Sequence, residues 1–591
     1  MPYDQPQPPV QRPGRATAAE ESAAALLDDL DRRLRGRAAT FIGGQSPWAA
    51  TEAWGDWAFH LAVSPGRRLE LAMHAMRATA KLWASALHGG ARPWAFEPLP
   101  ADRRFRADAW NRFPFNLMAQ AQLALESQWR LATGDLRGVS QHHLRRVAFL
   151  GDLVLNAIAP INGVLTNPEV LDAAVDTGGR NFVKGAELFA QDFARLAAGG
   201  RLTGLESFKV GRTMAMTPGE VVFRNDLMEV IQYAPTTAKV QAEPILIVPA
   251  WIMKYYILDL TPETSLVRHL VDQGFTVFMI SWRNPRGEAH DVSFEDYRIE
   301  GVEKAIEVVA RIAAGEKIQA VGYCLGGTTL AITAAALGRD KRDGLATLSL
   351  LAAQTDFDEA GELLLFIDES QLSLLEDMML TQGYLEARQM SGAFYALRSN
   401  DMLWSQLVDR YLIAKPKPLG PLDAWLADAT RMPARMHGEY LRGLFLENSF
   451  AHGRYETPGG AVAMKDITTP VFALGAERDH IAPWRSVYKI ELYGSTDTTF
   501  VLTGGGHNTS VVSPPGKAGA YYWVRETEQG QPYAEPDVWW ASATKETGSW
   551  WPCWTAWLKA RSRGELVDPP AMGGGFLKPL GPAPGAYVFE T

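Results

Sequence analysis

The run Gly322-Tyr323-Cys324-Leu325-Gly326 sets a thiol between two glycines. A thiolate is a strong nucleophile and a good acyl acceptor. An apolar run, Ile318 to Tyr323, precedes the thiol, and an Ala/Thr/Leu-rich helical pattern, Thr328 to Leu337, follows it. That is strand, sharp turn, helix. At such a turn the tip residue sits on strained backbone, and the residues two positions away must be small enough to let the chain cross itself. Gly322 and Gly326 meet that need, and Cys324 stands where serine is usual. The competing reading is a buried cysteine acting as a small hydrophobe, against which the flanking strand and helix weigh.

A nucleophile of this kind needs a base, and the base needs an orienting acid. Strand-like Thr469 to Leu474 is followed by Gly475-Ala476-Glu477-Arg478-Asp479-His480, and strand-like Thr498 to Leu502 by Thr503-Gly504-Gly505-Gly506-His507. Nucleophile, acid and histidine in that order, the last two after late strands, is the arrangement of α/β-hydrolase sites. Asp479 and His507 are the candidates. Asp356, Asp358 and Glu477 are alternative acids, and His480 an alternative base; His507 is preferred because it ends a Gly-rich loop that can approach the turn closely. Oxyanion donors are expected at the N–H of Leu325 and at that of Trp251 or Ile252, just past the strand ending at Pro249. The glycines near Lys517 lack the Ser/Thr and upstream Gly of a phosphate loop.

The elements that must position these groups form an α/β pattern. Residues 1–22 read as a disordered tail, with five prolines and no apolar period. Residues 23–200 read as an all-helical N-terminal domain, with Leu26, Leu27, Leu30 and Leu34 on one face and a capped helix start at Asn167-Pro168-Glu169. From 201 onward, short apolar runs at Pro244 to Pro249, Phe275 to Trp282, Ile318 to Tyr323 and Ala346 to Ala352 alternate with helical spacing, which predicts a parallel, doubly covered sheet. Alternation stops at about 359–448, a helical insertion placed to act as a lid.

Composition excludes several classes. The 591 residues carry a net charge of -9, and no basic run suited to nucleic acid is present. Only two cysteines occur, Cys324 and Cys553, so no disulfide framework is expected, and Cys553 reads as a core residue. The N-terminus lacks the apolar core of a signal peptide, so a cytoplasmic location is expected. The most apolar long stretch, Val147 to Leu165, is broken by Asp152, Asn156, Pro160 and Asn162, so no membrane span is expected. Of 19 tryptophans, six fall at Trp539, Trp540, Trp550, Trp551, Trp554 and Trp557. They read first as core, and secondarily as a means of keeping water from a reactive site.

Larger motifs carry a family resemblance. Trp251 to Leu260 (Trp-Ile-Met-Lys-Tyr-Tyr-Ile-Leu-Asp-Leu), Ser281-Trp282-Arg283-Asn284-Pro285, Gly322 to Gly327, Arg398-Ser399-Asn400-Asp401, Asp479 to Trp484, Gly505-Gly506-His507-Asn508 and Leu165 to Glu169 together resemble class I polyhydroxyalkanoate synthases over nearly the whole chain. The resemblance implies a Cys324, His507, Asp479 triad, an (R)-3-hydroxyacyl-CoA substrate whose CoA is a leaving group, no metal or other cofactor, and a homodimer at cytoplasmic polymer granules in contact with the growing polyester chain. It also places Trp425 at the substrate channel. Two positions depart from the family pattern: Pro249-Ala250 stands where a proline pair is common, and Leu426 follows Trp425 where asparagine is frequent.

Cysteine suits such chemistry, because a cysteine thioester is about as energetic as the CoA thioester and keeps each acyl group activated for attack by a hydroxyl. The alternative reading is a hydrolase or polyester depolymerase built on the same cysteine elbow, which would release free hydroxy acid.

Overall fold

The computed structural model describes residues 18–42, 44–100, 102–390 and 403–591. Residues 1–17 of the expected tail, Phe394, Tyr395 and the segment Arg398-Ser399-Asn400-Asp401 lie outside these ranges.

Eleven strands build the main sheet: β1 Gly219–Arg224, β2 Met228–Tyr233, β3 Ile245–Val248, β4 Val277–Trp282, β5 Ile318–Tyr323, β6 Leu345–Leu351, β7 Val471–Ala476, β8 Thr498–Thr503, β9 Tyr521–Thr527, β10 Thr544–Thr547 and β11 Gly581–Pro582. Their spatial order is β10-β9-β8-β7-β6-β5-β3-β4-β2-β1-β11. The six from β8 to β4 pair in parallel, and the flanking strands are antiparallel. Every residue of β3, β4, β5, β7 and β8 is buried, which is why they read as unbroken apolar runs rather than alternating ones. The hairpin β1–β2 turns at Asn225, whose side chain accepts from the N–H groups of Leu227 and Met228. Strands β9 and β10 extend the sheet past the last strand that apolar runs predict. Their residues are only half-buried or exposed, so they carry no buried-strand signature.

The N-terminal helices are α1 Ala18–Phe41, α2 Pro47–Ala62, α3 Pro65–Leu87, α4 Phe115–Ala132, α5 Gln141–Ala157, α6 Pro168–Thr177 and α7 Arg180–Ala197. Helix α6 starts as its sequence requires: Pro168 is its first residue, and the Asn167 side chain accepts from the Glu169 N–H at 2.9 Å. Helix α1 begins at Ala18, inside the stretch expected to be tail, and its Ala/Glu-rich start is a good helix former. Its leucines are not a core face: Leu26, Leu27, Leu30 and Leu34 are all more than half exposed. The helix docks instead through Gly36, whose missing Cβ would lie 2.1 Å from the Asp377 carbonyl oxygen. Arg32 and Arg35 bind the two carboxylate oxygens of Asp377 at 3.0 and 2.8 Å.

The insertion between β6 and β7 carries helices Glu369–Gln382, Pro421–Leu426 and Ala434–Tyr440 and a two-stranded ribbon joining Tyr384–Leu385 to Met432–Pro433. It covers the end of the sheet where β5 turns. Five of the six tryptophans of the last sixty residues are core: Trp539, Trp550, Trp551, Trp554 and Trp557 are buried, and Trp540 is half-buried. Trp554 and Trp557 donate their indole N–H groups to Ser349 of β6 and Thr499 of β8, each at 2.9 Å. None of them lines the cavity described next.

Candidate active site

Strand β5 ends at Tyr323, and the next helix runs Leu325–Arg339, so Cys324 alone makes the turn. Its φ of 53° and ψ of -127° lie in a region that side chains disfavour. The neighbouring glycines are required by close approach. A Cβ on Gly322 would sit 2.3 Å from the Gly327 Cα, and one on Gly326 would sit 2.2 Å from the Val248 carbonyl oxygen. The strained tip is held by its own backbone: the Cys324 N–H donates to the Leu351 carbonyl at 2.9 Å, and its carbonyl accepts from Gly327 and Thr328.

The loops after β7 and β8 bring the other two groups together. They are tied to each other by Glu477 N–H to Thr503 C=O and Arg478 N–H to Gly505 C=O, both 3.0 Å. Gly505 takes a φ of +114° in the Gly-rich loop, and His507 opens a five-residue helix, His507–Val511. Trp550 and Trp551 clamp that helix by donating to the carbonyls of Ser510 and Val511 at 2.9 and 3.0 Å. The Nδ1–H of His507 donates to Asp479 Oδ2 at 2.6 Å, while Asp479 Oδ1 accepts from the N–H groups of Ile481 and Ala482, each at 2.9 Å. These donors fix the orientation of the buried carboxylate.

Cys324, His507 and Asp479 are all buried. Burial of the His507 ring opposes its charge, but the Asp479 carboxylate and Cys324 beside it outweigh burial and raise its pKa well above the ordinary value. The second ring nitrogen, Nε2, is buried and faces Cys324. It is the nitrogen left to exchange a proton with a thiol, a leaving group or an attacking hydroxyl.

The alternative partners are engaged elsewhere. Asp356 accepts from Asn448 at 3.1 Å and Lys489 at 3.3 Å, Asp358 is exposed, and Glu477 accepts from the Tyr521 hydroxyl at 2.6 Å. His480 is exposed.

Cys324 opens on a cavity of about 110 Å³ that is lined mainly by apolar side chains of the insertion, among them Leu363, Phe366, Leu441 and Phe445. Leu325 and Ile252 line it too, whereas Trp251 does not. Leu325 is the first residue of the helix, so its N–H has no partner within that helix. Trp251 packs among Phe294, Tyr297 and Tyr440 instead. Trp425, expected at the channel, is buried and not among the residues lining this cavity, its indole N–H donating to the Lys254 carbonyl at 2.7 Å. Residue type alone does not reveal that the N–H is consumed by a backbone carbonyl.

Among the wall residues that sequence reasoning missed, four come from unexpected places. His437 and Tyr440 come from an insertion helix whose pattern gave no chemistry, and Gly44 and Gln45 come from the link between α1 and α2. Nothing local marks Gly44 and Gln45. Tyr323, whose hydroxyl donates to Asn508 at 2.7 Å, further braces the histidine loop.

A thiol on a strand-to-helix turn, followed in the chain by an acid and then a histidine after late strands, and a central parallel sheet define an α/β-hydrolase-fold protein. A family model described as the alpha/beta hydrolase fold matches residues 243–514. Two further models, for the poly-beta-hydroxybutyrate polymerase N-terminus, match residues 101–270 and 25–67. The chain is 40% identical over 533 residues to the poly(3-hydroxyalkanoate) polymerase of Methylorubrum extorquens, covering 89% of this chain and 87% of that one. It is 33% identical over 569 residues to poly(3-hydroxyalkanoate) polymerase subunit PhaC of Cupriavidus necator, covering 93% and 95%. The chain belongs to the poly(3-hydroxyalkanoate) polymerase family.

Proposed function

We propose that this protein polymerises (R)-3-hydroxyacyl groups from CoA thioesters through a thioester on Cys324. The supporting observation is Cys324 on the wall of a largely apolar cavity, with the buried His507–Asp479 pair beside it. His507 takes the Cys324 proton, and the thiolate attacks the substrate carbonyl. The carbon–sulfur bond to CoA breaks, and the CoA thiolate leaves with the proton held at His507 Nε2. The N–H groups of Leu325 and Ile252 face the developing oxyanion. A 3-hydroxyl of a second unit then attacks the Cys324 thioester, giving its proton to His507 as the ester forms and the thiolate is released. Asp479 holds the imidazole tautomer and stabilises its charged form. The reaction needs no metal or other cofactor.

The apolar wall serves to exclude water, the competing nucleophile. No described helix is long and apolar enough to cross a membrane. The family reading adds action as a homodimer at the surface of cytoplasmic polymer granules, where the product chain collects.

The test is purified protein with (R)-3-hydroxybutyryl-CoA, with free thiol followed and the insoluble product weighed. CoA release with polymer supports the proposal; CoA release with only soluble hydroxy acid moves the assignment to a hydrolase.

A further inference from the structure

The cavity wall holds a buried imidazole for which the reaction above has no use. His437 lines the cavity with Cys324 and is only 1% exposed. Its ring packs at 5.9 Å from that of Tyr440, and its Nδ1 is buried with no hydrogen-bond partner among the described residues. Three other buried polar side chains of the wall are engaged: Thr328 donates to the Gln354 carbonyl, Gln354 donates to Ser486, and Gln371 bonds to Ser46 and Gly44. Leaving a buried polar nitrogen unpaired destabilises the free protein, and a wall otherwise rich in Leu, Ile and Phe offers it nothing. A ligand carrying one polar substituent on an apolar chain would remove that penalty. Burial lowers the His437 pKa to about 4, so the ring stays neutral and offers one donor and one acceptor rather than a charge.

We propose that His437 is a specificity residue that hydrogen-bonds the 3-hydroxyl of the acyl group loaded on Cys324, so that the cavity selects hydroxyacyl over plain acyl chains. The inference rests on the polymerase reading and deepens it. A site built to bond a hydroxyl rejects the analogue lacking it, because its own polar group is then left unpaired. A purely apolar pocket would take both acyl groups, or prefer the plain one.

The experiment compares acylation, read as the burst of CoA release, for (R)-3-hydroxybutyryl-CoA and butyryl-CoA, with wild type, His437→Phe and His437→Gln. His437→Phe keeps a flat ring and removes both nitrogens; His437→Gln keeps a donor and an acceptor. The expected result is that His437→Phe loses about 10- to 100-fold in kcat/KM for the hydroxyacyl substrate, the worth of one buried hydrogen bond, and leaves butyryl-CoA unchanged or faster. His437→Gln is expected to recover part of the discrimination. Equal losses on both substrates in His437→Phe and His437→Gln, or no loss on either, overturn the assignment and make His437 a packing residue. Wild type that releases no CoA from (R)-3-hydroxybutyryl-CoA overturns the polymerase reading itself, a failure visible before any variant is made.

Discussion

Asp479 Oδ2 lies 2.6 Å from His507 Nδ1, with both side chains almost fully withdrawn from solvent. The same carboxylate is held by two backbone N–H groups, so it cannot swing away without leaving them unpaired. The pair therefore fixes which ring nitrogen faces Cys324.

Asp479→Asn keeps the volume but cannot enforce that tautomer or balance an imidazolium. CoA release is expected to fall about 10³- to 10⁴-fold, as removal of the acid from such a triad does. Asp356→Asn is the control, because Asp356 is also buried but faces Asn448 and Lys489. It should lower the melting temperature and leave turnover within about tenfold of wild type. Comparable loss of turnover in both variants, at equal folded fraction, would move the acid assignment to Asp356.

The raised His507 pKa makes stability depend on pH. Burial opposes the charged ring, and the interactions with Asp479 and Cys324 beside it overcome that opposition. A group whose folded pKa is raised contributes stability that is fully present below its unfolded value, about 6.5, and is lost as pH rises through the folded value. Wild type is thus expected to exceed His507→Gln in melting temperature by most near about pH 6, with the gap narrowing steadily toward about pH 9. A gap that widens with pH would mean that the ring is neutral in the folded protein.

Strand β5, its turn and the order of Cys324, Asp479 and His507 were legible because they rest on local rules: glycine spacing at a crossing, apolar runs in a doubly covered sheet, and loops after late strands. The rest depended on partners distant in the chain. Leu26 to Leu34 have a helical period yet stay exposed, since α1 docks through Gly36 and two arginines. Trp550 and Trp551 brace the His507 helix through backbone carbonyls forty residues away, a relationship that composition cannot express. Gly44, Gln45 and His437 join the cavity only through tertiary packing.

Backbone strain at Cys324 gives an unusual order of stabilities. At most sites alanine is more stable than glycine by about 0.5–1 kcal/mol, because glycine has more freedom to lose. At φ 53°, ψ -127° the Cβ is the liability. Cys324→Gly is expected to melt higher than Cys324→Ala, with no CoA release from either. The ordinary order would show that the turn is relaxed.

Trp425 separates the cavity from its support. Trp425→Phe keeps most of the ring and leaves the Lys254 carbonyl without its donor, which should cost about 1–3 kcal/mol. Because Trp425 is off the cavity lining, the ratio of free hydroxy acid to polymer should not change. Leu441→Ala, on the lining, should raise that ratio by admitting water. The opposite pairing of results would restore Trp425 to the channel.

The contact between α1 and the insertion carries the last expectation. Gln371, on the helix that Gly36 touches, accepts from the Ser46 N–H at 2.8 Å and donates to the Gly44 carbonyl at 2.6 Å, and Gly44 and Gln45 complete the cavity wall. Gly36→Leu would place a Cβ 2.1 Å from the Asp377 carbonyl oxygen, too close for the helices to stay docked. Limited proteolysis between α1 and α2 should accelerate, and the free-acid fraction should rise as the wall opens to water. Arg33→Ala is the control, since Arg33 is exposed and, among the described residues, pairs within α1, with Asp29 at 2.7 Å. Faster cleavage of Gly36→Leu with an unchanged free-acid fraction would mean that Gly44 and Gln45 close the cavity without guarding the thioester, and the water-excluding wall would then belong to the insertion alone.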